Sequence, residues 1–156
     1  MDKRLCRIEP VTSKNWRAVI ELSVKKEQAN FIESNLFSLA QARVEPYWQP
    51  VALYVERELI GFAMYGLVPG EGIWLDRFMI DLRFQGQGLG KRMLVALLQL
   101  IKTKYGCQRI YSSLFSHNHV MWRLLNGLGF KATMLKDTRG EQIVYLELRK
   151  LGKGVN

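Results

Sequence analysis

Three glycines spaced one residue apart, in Gln85-Gly86-Gln87-Gly88-Leu89-Gly90-Lys91, make this the stretch of the 156-residue chain best suited to hold a charged group. Glycine reaches φ > 0 and lets a ligand approach the main chain with no Cβ in the way. If such a turn opens a helix, several unpaired N–H groups aim at one point and the helix dipole adds to their pull, which suits a phosphate. Lys91 would then put a cation at the rim, or else stand solvated beside it. The spacing matches neither the dinucleotide GxGxxG pattern nor the Walker ending Gly-Lys-Ser/Thr, so an ordinary glycine-rich loop is the competing reading. A second charged feature is Glu27-Gln28-Ala29-Asn30-Phe31-Ile32-Glu33-Ser34, whose carboxylates Glu27 and Glu33 could face a cationic ligand or remain in water. Cys6 and Cys107 lack metal-ligand spacing, no metal site is expected, and both read as buried thiols of a reducing compartment.

The glycine turn needs a strand before it and a helix after it. Ile73-Trp74-Leu75-Asp76-Arg77-Phe78-Met79-Ile80 has the aromatic and branched content of a strand, and Met93, Leu94, Leu97, Leu98 and Ile101 recur at helical spacing. Further upstream, residues 5–11 read as a first strand closed by Pro10, with Thr12-Ser13 as N-cap candidates for a helix burying Trp16, Val19, Ile20, Leu22 and Val24. A second helix runs through Leu36, Phe37, Leu39, Ala40 and Val44 and stops before Pro46. The segments 51–55 and 59–67 then form a hairpin about Glu56-Arg57-Glu58, and Pro69-Gly70-Glu71-Gly72 turns the chain into the strand that precedes the glycines. After the long helix, Gly106 is a C-cap and Arg109 to Phe115 another strand. Ser116-His117-Asn118-His119 offers capping groups for a helix through Trp122 and Leu128. Residues 130–135 and 143–148 close the chain as a strand pair about Asp137-Thr138-Arg139-Gly140.

Length and composition suit one globular domain, expected over residues 1–149, with a frayed basic tail at 150–156. No apolar run approaches the roughly 20 residues that span a bilayer, and no apolar signal segment follows Met1, so the expectation is a cytoplasmic protein with no membrane partner. The formal net charge of +9 favours anionic partners. Lys and Arg are scattered, and no zinc-finger, RNP-type or basic-region pattern occurs, so nucleic acid is not the expected partner.

The order strand, two helices, three antiparallel strands, glycine turn, helix, strand, helix and strand pair resembles the GNAT N-acetyltransferase family. Gln85-x-x-Gly88-x-Gly90 after Met79-Ile80-Asp81, and Asn118 followed by Gly129-Phe130, are similar to its two signatures. The resemblance implies an α/β (α+β) fold with a central mixed, mostly antiparallel seven-stranded sheet and about four helices. Phe31-Ile32-Glu33-Ser34, Pro50 to Tyr54, Gly61 to Leu67 and Trp74 to Phe78 look like segments of its bacterial spermine/spermidine acetyltransferases.

From this resemblance follow the remaining expectations. Acetyl-CoA is the co-substrate. Its pyrophosphate would lie on Gln85, Gly86, Gln87, Gly88, Leu89, Gly90 and Lys91, and its pantetheine along Phe78, Met79 and Ile80, with Asn118 nearby. The acceptor would be a small cationic amine such as a polyamine, attacking directly while both substrates are bound. An alkyl ammonium has a pKa of about 10.4, so a base is needed. Asp76 is the candidate, the alternative being an ion pair with Arg77, and a main-chain N–H near Phe78 is the candidate oxyanion donor. Glu33 would bind the amine, and Tyr54, Tyr65 and Trp74 would wall its channel. A homodimer is implied by family habit. Other acceptors, namely a protein amine, an aminoacyl compound or an antibiotic, and a non-catalytic CoA-binding module are the alternatives. The last is motivated by one departure: where many family members carry a tyrosine as general acid, this chain has Leu125, and Met121 replaces a small residue one turn earlier. Tyr111, His117 or His119 could protonate the leaving thiolate, the histidines could instead only cap the helix, or the thiolate, with a pKa of about 8.5, could leave unprotonated; slow or lost catalysis is the remaining option.

Overall fold

In the computed structural model, residues 2–148 are described, and the expected tail at 150–156 lies outside them. The first strand is β1 (Cys6–Pro10), followed by helices α1 (Trp16–Glu21) and α2 (Asn35–Val44). Next come β2 (Trp48–Val55), β3 (Glu58–Val68) and β4 (Gly72–Ile80), then α3 (Leu89–Tyr105), β5 (Arg109–Leu114), α4 (His119–Gly127), β6 (Lys131–Lys136) and β7 (Gln142–Glu147). Among the described residues no helix is long and apolar enough to cross a membrane.

The seven strands form one sheet in the order β1-β2-β3-β4-β5-β7-β6. Every neighbouring pair is antiparallel except β4 and β5, which are parallel and share the single registered pair Trp74↔Tyr111. The sheet is therefore two antiparallel arms hinged at one point, where the two rings stack 5.5 Å apart and Ser112 Oγ donates to Leu75 O at 2.7 Å. Beyond that point, among the described residues, β4 has no strand on its β5 side.

Helix α3 sits on one face because Leu89, Met93, Leu94, Leu97, Leu98 and Ile101 recur at helical spacing and are all buried. Leu125 of α4 joins the same core with Leu75, Phe78, Ile110 and Phe130. The opposite face is covered by α1 and α2, around Val19, Leu22, Phe62, Met64 and Met79.

Three expectations need correction. The first helix ends at Glu21, and Asn15 is its N-cap residue, accepting from Thr12 N at 2.8 Å; Thr12-Ser13 do not cap it. In α2 the inward face is Asn35, Ser38, Leu39 and Ala42, with Asn35 and Ser38 the buried ones, while Leu36, Phe37 and Val44 are exposed. The helix is phased by a polar contact: Asn35 Nδ2 donates to Val19 O at 2.9 Å, which ties α2 to α1. Cys6 and Cys107 are free thiols at the margin of the core, only partly buried.

Candidate active site

The gap between the arms is a cavity of about 520 Å³. Its walls come from β4, the glycine turn, β5, α4, the α1–α2 connection and the β6–β7 turn.

One end is built from main chain. Strand β4 pairs with β3 through Gly61↔Ile80, Phe62↔Met79 and Ala63↔Phe78, and Asp81 N donates to Ile60 O at 2.8 Å. Alternation along an antiparallel pair then turns the polar groups of Phe78 and Ile80 the other way, into the gap. Ile80 O already accepts from Gln85 Nε2 at 2.9 Å on that side. Past Gln85 the chain turns through Gly86 and Gly88, both at φ 76, a left-handed geometry that costs glycine little. Gly88 is the N-cap residue of α3 and has no side chain to satisfy the first N–H groups of the helix. An uncapped 17-residue helix aimed at a gap edged by outward main-chain groups fits a phosphate-bearing, amide-bearing ligand.

The start of the α1–α2 connection is bolted to this end. The Asp81 carboxylate, buried, accepts from Ser23 N (3.0 Å), Arg83 N (3.0 Å) and Arg83 Nε (2.7 Å). Burial alone would raise its pKa, but these hydrogen bonds outweigh burial and hold it below the ordinary carboxylate value. Gln28 and Gln85 exchange amide hydrogen bonds of 3.2 and 2.9 Å, joining the connection to the glycine turn.

The other end is built from charged side chains. The β3–β4 ladder shifts register between Met64↔Arg77 and Tyr65↔Leu75, so Asp76 is an extra residue on β4. This bulge reverses the strand's phase: Leu75 and Phe78 both face the α3 core, while Arg77 turns toward α2. Asp76 forms an ion pair with Arg77, the local alternative raised above. Arg77 is buried, and its Nη2 donates to Gln41 Oε1 at 3.0 Å; Gln41 Nε2 in turn donates to Glu45 Oε2 at 2.9 Å. Burial chiefly lowers the Arg77 pKa, and the nearby charge of Arg139 adds to this, opposed by Glu33, Glu141 and Glu45.

Glu33, Asp76, Phe78, Met79, Ile80, Gln85, Gly86, Gly90 and Asn118 all line the cavity. Gln87, Gly88, Leu89 and Lys91 belong to the turn and first helical turn without lining it. Asn118 caps α4, its Oδ1 accepting from Met121 N at 3.3 Å. The expected aromatic channel is not there. Tyr65 points into the α3 core, edge-on to Tyr105; Tyr54 packs on the α1–α2 side under Arg7; and Trp74 stacks on Tyr111. Among the described residues, the aromatic ones lining the cavity are Phe31 and Phe115, bridged by His117 with ring centroids 5.0 and 5.6 Å away, and Phe78. Tyr111, His117 and His119 are not among the lining residues, and Leu125 and Met121 are.

Three charged residues beyond the expected set line the cavity: Arg77, Arg139 and Glu141. Glu141 is buried beside the β5 arm, with its Oε2 accepting from Ser113 Oγ at 2.8 Å. Arg139 lies 3.4 Å from Glu33 Oε1 and 3.6 Å from Glu141 Oε1. No periodicity marks Arg139 and Glu141, because the β6–β7 turn reaches the site only through the β5-β7-β6 strand order.

A split sheet with an uncapped helix N-terminus at one end of the split and carboxylates at the other suits an acyl-CoA-dependent transferase. The chain belongs to the acetyltransferase (GNAT) family, whose profile matches residues 16–130. It is an N-acetyltransferase that uses acetyl-CoA as co-substrate. It is 43% identical over 148 residues to the spermine/spermidine N(1)-acetyltransferase of Bacillus subtilis (strain 168), covering 90% of this chain and 97% of that protein. In fold it matches an aminoglycoside acetyltransferase bound to coenzyme A, with TM-score 0.80 and 13% identity, over 97% of this chain and 100% of that one. It also matches a Vibrio cholerae spermidine N-acetyltransferase bound to CoA and spermine, with TM-score 0.72 and 15% identity, over 93% and 96% of the two chains.

Proposed function

We propose that the chain acetylates a primary amine of a polyamine such as spermidine or spermine. The observation that carries this reading is the convergence of Glu33, Asp76 and Glu141 at the end of the split opposite the glycine turn. Against them stand two guanidiniums, Arg77 and Arg139, so among the described residues the cleft keeps one negative charge uncompensated inside a chain of net charge +9. Local and overall charge thus have opposite signs, and an ammonium is drawn to the cleft while the anionic donor is drawn to the rest. The 43% identical spermine/spermidine acetyltransferase supports the same acceptor.

In this reading the main-chain N–H groups after Gly88 hold the donor's pyrophosphate, and the outward groups of Phe78 and Ile80 hold its pantetheine arm. Acetyl-CoA supplies an activated acetyl thioester. The acceptor nitrogen forms a bond to the carbonyl carbon as the C–S bond breaks, and the Phe78 N–H stabilises charge developing on the carbonyl oxygen. Asp76 takes one proton from the ammonium before attack and passes it to solvent, and the second proton leaves the nitrogen by the same route as the tetrahedral intermediate collapses to the amide and the thiolate; the pair with Arg77 fixes the carboxylate in place. Among the described residues no Tyr, His, Cys or Lys lines the cavity, so the thiolate departs without a side-chain acid. Its pKa of about 8.5 makes this tolerable near neutral pH.

The same reading takes the protein to be cytoplasmic, which its two free thiols support, and dimeric through β6, an edge strand whose Met134 and Leu135 side chains are exposed. The deciding experiment is acceptor-dependent CoA release with spermine, spermidine, diamines, aminoglycosides and peptide amines. Release with polyamines, reduced about a hundredfold or more by Asp76→Asn, is expected. Release with aminoglycosides or peptides alone would sink the polyamine assignment.

A further inference from the structure

Arg139 occupies an unusual position for a surface arginine. The turn that carries it is rigidly folded: Asp137 Oδ1 accepts from Arg139 N and Glu141 N, both at 2.9 Å, and Gly140 N donates to Asp137 O at 3.1 Å. This geometry sends Arg139 across to Glu33 of the α1–α2 connection while Glu141 points back toward β5. The guanidinium therefore bridges two carboxylates from opposite walls of the split. Its grip is loose. At 3.4 and 3.6 Å both pairs are longer than a charge-assisted hydrogen bond, and the arginine side chain is 45% exposed. Asp76, by contrast, is matched to a buried arginine held from behind by Gln41.

The cleft thus contains an inner carboxylate with a fixed counter-ion and an outer pair with a displaceable one. Glu141 has one oxygen committed to Ser113, which leaves Oε1 as the oxygen facing Arg139. An ammonium that displaced the guanidinium would find Glu33 and the free oxygen of Glu141 already facing each other. A triamine carries the second charge needed to do this; a monoamine does not.

Building on the polyamine reading, we propose that Arg139 is a tethered stand-in for the acceptor's second ammonium. It holds the Glu33–Glu141 subsite at rest, must be displaced when a polyamine binds, and so sets the preference between polyamines and simple amines. Arg139 is a specificity-determining residue in this assignment and takes no part in the chemical step.

The test compares wild type, Arg139→Gln and Arg139→Lys with spermidine and with butylamine as acceptors. Glutamine removes the competitor, and the KM for spermidine falls about fivefold, the equivalent of the roughly 1 kcal/mol upper range of a half-exposed ion pair. The KM for butylamine changes by less than about twofold, and the Arg139→Lys variant behaves like wild type because it restores the charge. Adding Glu33→Gln to Arg139→Gln abolishes the gain. Unchanged acetyl-CoA KM and melting temperature show that the variants are intact. An unchanged or raised spermidine KM in Arg139→Gln, or an equal fall for both amines, overturns the assignment. Lack of CoA release with any polyamine defeats the acceptor reading instead, and equal calorimetric affinity of wild type and Arg139→Gln for spermidine, with CoA bound, then defeats the Arg139 assignment on its own evidence.

Discussion

Replacing Gly90 by alanine separates what the glycine turn does for folding from what it does for the donor. Gly90 is the second residue of α3, and its φ lies outside the left-handed region that Gly86 and Gly88 adopt. A Cβ added there would meet Ile80 Cγ1 at 3.6 Å, an ordinary van der Waals contact, with nothing nearer. The folded state accepts the methyl, and the unfolded chain loses backbone freedom, so Gly90→Ala stabilises the protein by about 0.4–1 kcal/mol. For a chain of this size that raises the melting temperature by about 1–4 °C. The same methyl projects where Gly90 lines the cavity, between the helix N-terminus and β4. If it prevents one charge-assisted hydrogen bond to the pyrophosphate, about 1.5–3 kcal/mol of binding is lost. That corresponds to a rise of roughly 10- to 150-fold in the KM for acetyl-CoA. Thermal melting with and without CoA, together with release of free thiol against acetyl-CoA concentration, measures both quantities. Gly88→Ala is the contrasting control: at φ 76 alanine is strained by about 1–2 kcal/mol, so stability and donor affinity fall together. A Gly90→Ala protein that melts higher yet keeps the wild-type KM for acetyl-CoA would refute the placement of the pyrophosphate.

Three further outcomes follow from the site. Because no Tyr, His, Cys or Lys lines the cavity among the described residues, kcat should rise with pH and show no descending limb up to about pH 10; a descending limb near pH 8–9 would reveal a protonated acid. Asp81→Asn should destabilise the protein by about 1–3 kcal/mol, because three donors lose a buried carboxylate. Since the folded pKa of Asp81 is lowered, its contribution is present above the unfolded value of about 3.9 and is lost as pH falls through the folded value. Wild type and variant should therefore converge in strong acid, and a constant difference in melting temperature down to pH 2 would contradict the assignment. Gln28→Ala and Gln85→Ala should each raise the KM for donor and acceptor alike, and the double variant should cost less than their sum, because the reciprocal amide pair is a single clasp.

Most of the fold was legible because its signals are local. The apolar repeat from Met93 to Ile101 needs only the helical period, and the 56–58 and 137–140 turns need only short polar runs. Where the local signal misled, a tertiary contact had taken over. In α2 the hydrophobic pattern of Leu36, Phe37 and Val44 suggested an inward face, but Asn35 bonding to Val19 O fixes the rotation the other way. Tyr65 shows the same limit. Strand alternation places it on one face or the other, and only the shift in register opposite Asp76 decides which residues of β4 meet the cleft.

The two ends of the split differ in legibility for a physical reason. In the proposed reading the donor end recognises its ligand through main chain, and the main chain constrains sequence strongly: two left-handed residues call for glycine, and an uncapped helix calls for its apolar repeat directly afterwards. A contiguous motif is the result, readable without knowing the fold. The proposed acceptor end uses side chains delivered by separate segments, with Glu33 before α2, Asp76 on the β4 bulge, and Arg139 and Glu141 after β6. Each is an ordinary charged residue in its own neighbourhood. They become a site only because β7 inserts between β5 and β6 and carries its leading turn to the mouth of the split. Substitutions at the acceptor end can therefore change which amine is preferred without disturbing the donor motif, and that independence is what the contrast between Gly90→Ala and Arg139→Gln measures: the first acts on acetyl-CoA with the acceptor preference intact, the second on the acceptor with acetyl-CoA binding intact.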